Sequence, residues 1–333
     1  MVVLRLFFVF LQVSVFAITA DFDCVFVGSS PIPLIEALYQ ANMGKRVLIV
    51  EESNQCGGAW KSIDICGVAH ADMGCHQIGS NPSVKNFLEE YIGCKMVPLN
   101  DPLGTLANQN TPIRGEYYPS QGCYELMSHI LQLISKTNIV LLMNHKIESV
   151  YFDLDRQFVE VSVNGRKYTS SKLFIPPMCS LKVNNMPNVE ASSKTGRASH
   201  LYVLIEDPTP FRFTYQNGFS GVSRIMNLTP FVGLQNTRYQ LIIFQTHANE
   251  ANAQKCIEHL INSKLVDPRA KILNSDTYTY AQAYFNSSML NKLGPNIKTL
   301  FEVVNTSHIQ NMGTYIPRWK TALKPYHEAL RAA

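Results

Sequence analysis

The sequence predicts an α/β protein: a parallel sheet begun by an N-terminal strand–helix–strand unit, an antiparallel meander, and an interleaved α+β second half. Three stretches carry that expectation. Residues Cys24–Val27 form an apolar run that stops at Gly28, and after a helix-period segment a second run, "RVLIVE", ends at Glu51. Unbroken apolar strands joined by a helix are the pattern of a parallel sheet buried on both faces. The segment "NHKIESVYFDLDRQFVEVSVNGRKYTSSKLFI" alternates and turns at Asp153–Arg156 and at Asn164-Gly165, a type I′ hairpin signal. From about His200 the pattern becomes strands, "LYVLIE", "PFRFTY" and "YQLIIFQT", around one helical segment, "EANAQKCIEHLINSK".

The chain opens with "MVVLRLFFVFLQVSVFAITA", one Arg in an almost unbroken apolar run ending in small residues. Residues 1–20 resemble a secretory signal peptide, which implies a secreted or exported protein. Ile18 is a poor residue three places before a cut after Ala20, so a start extension or an anchor stays open, with a cytoplasmic location as the alternative. No later stretch is apolar for the ~20 residues a spanning helix needs, so no integral membrane domain is expected beyond the leader. Asn227, Asn286 and Asn305 each begin an N-x-S/T triplet. The 8 cysteines include no C-x-x-C pair, which argues against a zinc or redox motif. In an exported chain, some of Cys56, Cys66, Cys75, Cys94 and Cys123 are candidates for pairing, whereas Cys24, inside a strand, reads as a packed thiol. A net charge of +4 with no basic block gives no nucleic-acid surface.

The turn after the first strand is "GSSPIP". Gly28 sits where a tight turn needs a residue without a Cβ. Ser30 suits a helix N-cap, Pro31 then takes the first helical position, and Pro33 is still within the first turn, where a missing N–H does little harm. Leu34, Leu38 and Ala41 share the face turned to the sheet, and Gly44 stops the helix. Glu51 follows Gly28 at about 20 residues, the spacing at which an acid accepts hydrogen bonds from an adenosine ribose. Against the Rossmann-type G-x-G-x-x-G pattern, Ser30 and Pro33 replace two glycines, so the turn offers fewer amides to a phosphate while the Ser30 hydroxyl adds a donor.

Beyond that acid, "EESNQCGGAW" places Gly57 and Gly58, and "ADMGCHQIG" adds Asp72, Gly74 and His76. These stretches resemble the FAD-dependent amine oxidase, phytoene desaturase and UDP-galactopyranose mutase superfamily. The resemblance extends to "YYPSQGCYELMSHILQLI", similar to that family's Pro/Gly turn and helix, and to "IVLLMNHKIESVYF", similar to the strand whose backbone meets adenine. It implies a Rossmann-like FAD-binding domain over residues 21–195, a substrate domain over 196–305 and a C-terminal return over 306–333. It further implies noncovalent FAD held by Gly28, Ser29, Ser30, Glu51, Glu52, Gly57, Gly58, Ala59, Trp60, Gly74, His76 and Ile147. His76 would lie near the flavin, and "GFSGVSRIMNLTPF" is similar to a stretch that brings an Arg, here Arg224, toward the substrate; these two are the catalytic candidates. For both, a structural role is the competing reading: a histidine satisfying a backbone carbonyl, and a surface or interdomain salt bridge for Arg224. Trp60, Tyr117, Tyr118 and Trp319 are equally at home in a core.

The family closes its flavin site with a Gly-Asp or Gly-Arg motif before a final helix. Here "GTYIPRW" follows Gly313 without such a partner, ahead of a helix expected to be short and to start near Pro317. A different closure, a truncated chain and loss of flavin all stay open. Two functions follow: an FAD-dependent oxidoreductase passing hydride between a small-molecule substrate and FAD, or a non-catalytic binding protein similar to Rab escort and GDP-dissociation inhibitor proteins, which carry protein and prenyl lipid. The oligomeric state is not legible.

Overall fold

The computed structural model describes residues 20–332 apart from 77, 79–80, 100–116, 177–178, 180, 185–194, 220, 247–251, 284–294 and 305–308. The leader and the triplets at Asn286 and Asn305 lie outside the described residues. The first sheet contains β1 (Phe22–Val27), β2 (Val47–Glu51), β7 (Val140–Met143), β8 (Ile147–Asp153), β9 (Phe158–Val163), β10 (Arg166–Ile175) and β16 (Phe301–Val303). Its order is β7-β2-β1-β10-β9-β8, with β16 also on β10. Strands β7, β2, β1, β10 and β16 are parallel, while β8 and β9 form the antiparallel meander with β10. The hairpin between β9 and β10 turns on Asn164 and Gly165 at φ +47° and +75°, as a type I′ turn requires.

The parallel strands are apolar throughout because both faces are covered. Cys24, Phe26, Val47 and Ile49 face helices α1 (Pro31–Asn42), α3 (Gly122–Ile134) and α5 (Ile316–Ala332), which bring Leu34, Leu38, Leu126, Ile130 and Leu323. Val25, Leu48 and Val50 face the meander, which returns Val150, Phe152, Val159 and Val161. Between these elements lie the hairpin β3 (Ser62–Ile65) and β4 (Val68–Asp72), the short helix α2 (Pro82–Phe87), and the pair β5 (Met96–Pro98) and β6 (Tyr117–Pro119).

The second sheet runs β12-β13-β14-β11-β15, from β11 (Thr195–Glu206), β12 (Tyr215–Asn217), β13 (Val222–Asn227), β14 (Tyr239–Thr246) and β15 (Lys271–Ala283). Helix α4 (Ala253–Asn262) covers one face, packing Ile257 and Leu260 over Leu201, Val203, Ile242 and Phe244. The opposite face carries Tyr202, Met226, Leu241 and Ile243 into the core shared with the first sheet. Of "PFRFTY", only Tyr215 lies in a strand.

Three expectations are corrected. All 8 thiols are free, so the candidate pairings among Cys56, Cys66, Cys75, Cys94 and Cys123 do not occur; these thiols are buried in the core, and burial pushes Cys75 up to about 12. Asn227 cannot serve as a glycan acceptor in this fold, because its fully buried amide donates to Gln240 Oε1 at 2.9 Å and accepts from Thr229. The final helix is not short: it runs 17 residues from Ile316.

That helix is held by a buried carboxylate. Glu36, fully buried on α1, accepts from Arg318 Nη2 at 2.7 Å, from the Trp319 indole N–H at 2.7 Å and from Gln40 Nε2 at 2.8 Å. Arg318 also reaches Glu302, which pairs with Lys172 of β10 at 2.6 Å. Replacing Glu36 with Ala leaves the buried indole N–H without its acceptor and Arg318 with only the longer contact to Glu302, so denaturant unfolding is expected to show a loss of about 3 kcal/mol. Trp319→Phe, which removes one donor and keeps the ring packing, is expected to cost about 1 kcal/mol.

Candidate active site

Gly28 closes β1 at φ +78°, its N–H donating to the Val50 carbonyl at 2.8 Å. A Cβ built there meets nothing within 4 Å, so the turn borders open space. Ser29 turns inward: its N–H and hydroxyl donate to Glu51 Oε2 at 2.9 and 2.5 Å. Glu51 Oε1 accepts from the Ser53 N–H at 2.8 Å. A carboxylate has about four acceptor positions, so one remains on Glu51. Ser30 occupies the N-cap in extended conformation, as expected, but its side chain makes no capping hydrogen bond.

The second loop docks on the first. The Gly57 N–H donates to the Ser29 carbonyl at 3.0 Å, and a Cβ on Gly57, at φ +123°, would lie 2.9 Å from Lys61 Cα, so only glycine fits. A Cβ on Gly58 would stand 3.3 Å from Ser30 Cβ, so the two turns touch. Gly58–Trp60 then makes one 3₁₀ turn that presents the Ala59 carbonyl to His76 Nε2 at 2.6 Å, with the imidazole stacked on Trp60 at 4.4 Å. A carbonyl only accepts, so Nε2 carries the proton and Nδ1 is left as the acceptor. Gly74 leaves room for that ring: a Cβ there would be 2.7 Å from His76 Nε2.

Asp72 fixes the loop that carries His76. Its buried carboxylate accepts from Ser62 Oγ at 3.0 Å, Tyr118 OH at 2.5 Å and the Cys123 N–H at 2.9 Å, at the start of α3. Its carbonyl accepts from Tyr202 OH of the second sheet at 2.8 Å. Burial nevertheless pushes the Asp72 carboxyl up to about 6, against the lowering effect of those donors. Tyr118 and Trp319 are both fully buried, in the core.

On the second sheet, strand register lines up Arg224, Gln245, His200 and Tyr278 as directly opposed residues of β13, β14, β11 and β15. They share the face of Tyr202, Met226 and Ile243, the face turned to the first unit. Arg224 Nη1 reaches the Cys75 carbonyl at 3.5 Å, next to His76, and Lys61 Nζ stands 6.0 Å from the Tyr278 ring centre. Arg224 makes no salt bridge with a described residue; the group it reaches is the Cys75 carbonyl.

The structure thus joins Gly28, Ser29, Ser30, Glu51, Gly57, Gly58, Ala59, Trp60, Gly74, His76 and Arg224 in one continuous path. Two candidates lie off that path. The Glu52 carboxylate is exposed and pairs with Lys146 at 3.2 Å; Ile147, a candidate through its backbone, starts β8 with its side chain buried in the core. Lys61, His200, Gln245 and Tyr278 were not among the sequence candidates. The available signal was a polar residue in phase with the inward side of apolar strands, as His200 is in "SHLYVLIE".

Burial lowers His76 to about 4 despite its bond to Ala59, with nearby Arg224 adding to the effect; His200 is lowered to about 4 in the same way. A histidine depressed below its ordinary value leaves stability undiminished above about pH 6.5 and reduces it as pH falls toward 4. Asp72, raised from 3.8 to about 6, works in reverse: its cost is fully present above 6 and is relieved toward 4. Unfolding free energy measured from pH 6.5 to 4 is therefore expected to fall less steeply in His76→Gln than in wild type, and more steeply in Asp72→Asn.

No protein-family model matches the sequence, and no curated protein matches it. Among solved structures, the chain is similar to reduced UDP-galactopyranose mutase, with a TM-score of 0.64 and 11% identity over 95% of this chain and 96% of that one. It is similar to cyclohexylamine oxidase from Brevibacterium oxydans IH-35A, with a TM-score of 0.62 and 11% identity over 93% and 100% of the two chains. It is also similar to the Rab GDI of Plasmodium falciparum, with a TM-score of 0.55 and 11% identity over 92% and 98%. At such identities the likeness carries the fold alone. The chain has the α/β fold that these solved structures share.

Proposed function

We propose that the chain is an FAD-dependent oxidoreductase that passes hydride between a small-molecule substrate and noncovalent FAD. The observation that supports this most is the continuous path from the Gly28 turn, through Gly58 and Ala59, to His76 and the polar residues of the second sheet. The residues fit the cofactor at two points. Open space borders Gly28, where a Cβ would intrude, and Glu51 keeps one acceptor position for a ribose hydroxyl.

In this reading Glu51 holds the ribose, the turn at Gly28, Ser29 and Ser30 faces the phosphates, and Gly57, Gly58 and Ala59 border the remainder with backbone. FAD, when bound, supplies the hydride chemistry. His76, neutral at physiological pH with its proton on Nε2, is a poor proton carrier; it positions the Ala59 turn and offers Nδ1 as an acceptor. Arg224 faces the substrate side.

A non-catalytic binding or escort protein on the same scaffold is the second reading. It draws on Ser29, which occupies part of the ribose acid, and on Ser30, pressed against Gly58. Among the described residues no helix is long and apolar enough to cross a membrane.

Purified protein is expected to show a flavin absorption spectrum, or to acquire one on titration with FAD. Glu51→Gln is expected to weaken FAD by roughly tenfold to a hundredfold, the range for a hydrogen bond to a charged group. Folded protein that stays colourless and takes up no FAD would reject the oxidoreductase and leave the escort reading.

A further inference from the structure

The polar rung on the second sheet interrupts a face that is otherwise largely apolar. The neighbouring rung carries Tyr202, Ile243 and Met226, and the one beyond carries Leu204 and Leu241. Within the rung, Arg224 and Gln245 are partly buried and His200 is buried. Lys61, also partly buried, approaches the Tyr278 end from the first unit.

Neither Arg224 nor Lys61 makes a salt bridge with a described residue. Two other partly buried cations do: Arg318 pairs with Glu36 and Lys172 with Glu302. Asp276, the acid at the edge of the neighbouring rung, is exposed and pairs with neither cation. Two partly buried cations facing a polar rung without a carboxylate are matched when a ligand supplies the negative charge.

We infer that this rung, together with Lys61, recognises an anionic oxyacid group, carboxylate or phosphate, on the substrate of the oxidoreductase proposed above. The substrate class rests on that reading; the anion site does not. Arg224 has the planar fork suited to two oxygens of one group. Gln245, Tyr278 and His200 supply uncharged hydrogen bonding between the two cations, which stand at opposite ends of a rung three strand spacings (~14 Å) long. A cationic amine would meet like charge at both ends, and a bare hydrocarbon would leave both cations desolvated and unmatched.

The test is calorimetric titration of the full chain with inorganic pyrophosphate and, separately, with succinate, in wild type, Arg224→Gln, Lys61→Gln and Gly28→Val. Wild type is expected to bind at least one; pyrophosphate alone marks a phosphorylated substrate, succinate alone a carboxylate, and both an unselective anion site. Arg224→Gln is expected to weaken binding by about tenfold and Lys61→Gln by severalfold, while Gly28→Val retains it. Absence of binding to either probe, or binding that both charge variants leave unchanged, overturns the inference. Binding lost in Gly28→Val and kept in Arg224→Gln also overturns it, because the anion then sits at the nucleotide turn. FAD is titrated into the same variants: if none binds FAD while Arg224-dependent anion binding persists, the flavin reading falls and the anion site stands.

Discussion

A single buried carboxylate, Asp72, organises the region between the two sheets. It ties the β3–β4 hairpin through Ser62, the β6 strand through Tyr118, the start of α3 through Cys123 and, by its carbonyl, the second sheet through Tyr202. A carboxylate removed from water is costly, and only this number of donors makes the position tolerable. Because Met73–His76 follow directly, the same bonds set where His76 meets Ala59 and where Cys75 meets Arg224. The candidate site is therefore a consequence of how one acid is satisfied.

Two further buried acids divide the remaining work. Glu51 ties the first two turns together through Ser29 and Ser53, which makes the altered glycine turn rigid even with Ser30 and Pro33 in it. Glu36 docks the last helix onto α1 through Arg318 and Trp319. The absent Gly-Asp or Gly-Arg motif thus does not leave the chain's end loose. The "PRW" of "GTYIPRW" places its Arg and Trp on the flank of α1, so the closing contact is an ion pair and an indole bond to a helix.

Much of the first unit was legible because its signals are local. The β1–α1–β2 unit follows from apolar runs and helix period, the hairpin from Asn164-Gly165, and the packed Cys24 from its place within a strand. Glu51 was legible beside the Gly28 turn from spacing, and the Gly57–Gly58 loop beside both from the family resemblance. What was not legible depends on contacts between distant residues. Glu36 and Arg318 lie 282 positions apart, and nothing near either one announces the pair. The rung of Arg224, Gln245, His200 and Tyr278 arises from register among four strands, which a single chain of letters does not display. Asn227 carries an acceptor triplet whose own Thr229 bonds it into the core. Ser30 sits at the expected cap without making the cap bond, which the residue type alone does not show.

The central claim is that the Gly28 turn, the Gly57–Gly58 loop and the polar rung enclose one cofactor-and-substrate site. Amide hydrogen exchange of the full chain with and without FAD tests it most directly. The account predicts slowed exchange in residues 28–30, 57–60 and 74–76 together, with little change in α4 on the far side of the second sheet. Protection confined to α4 or the meander, or no change at saturating FAD, would contradict it.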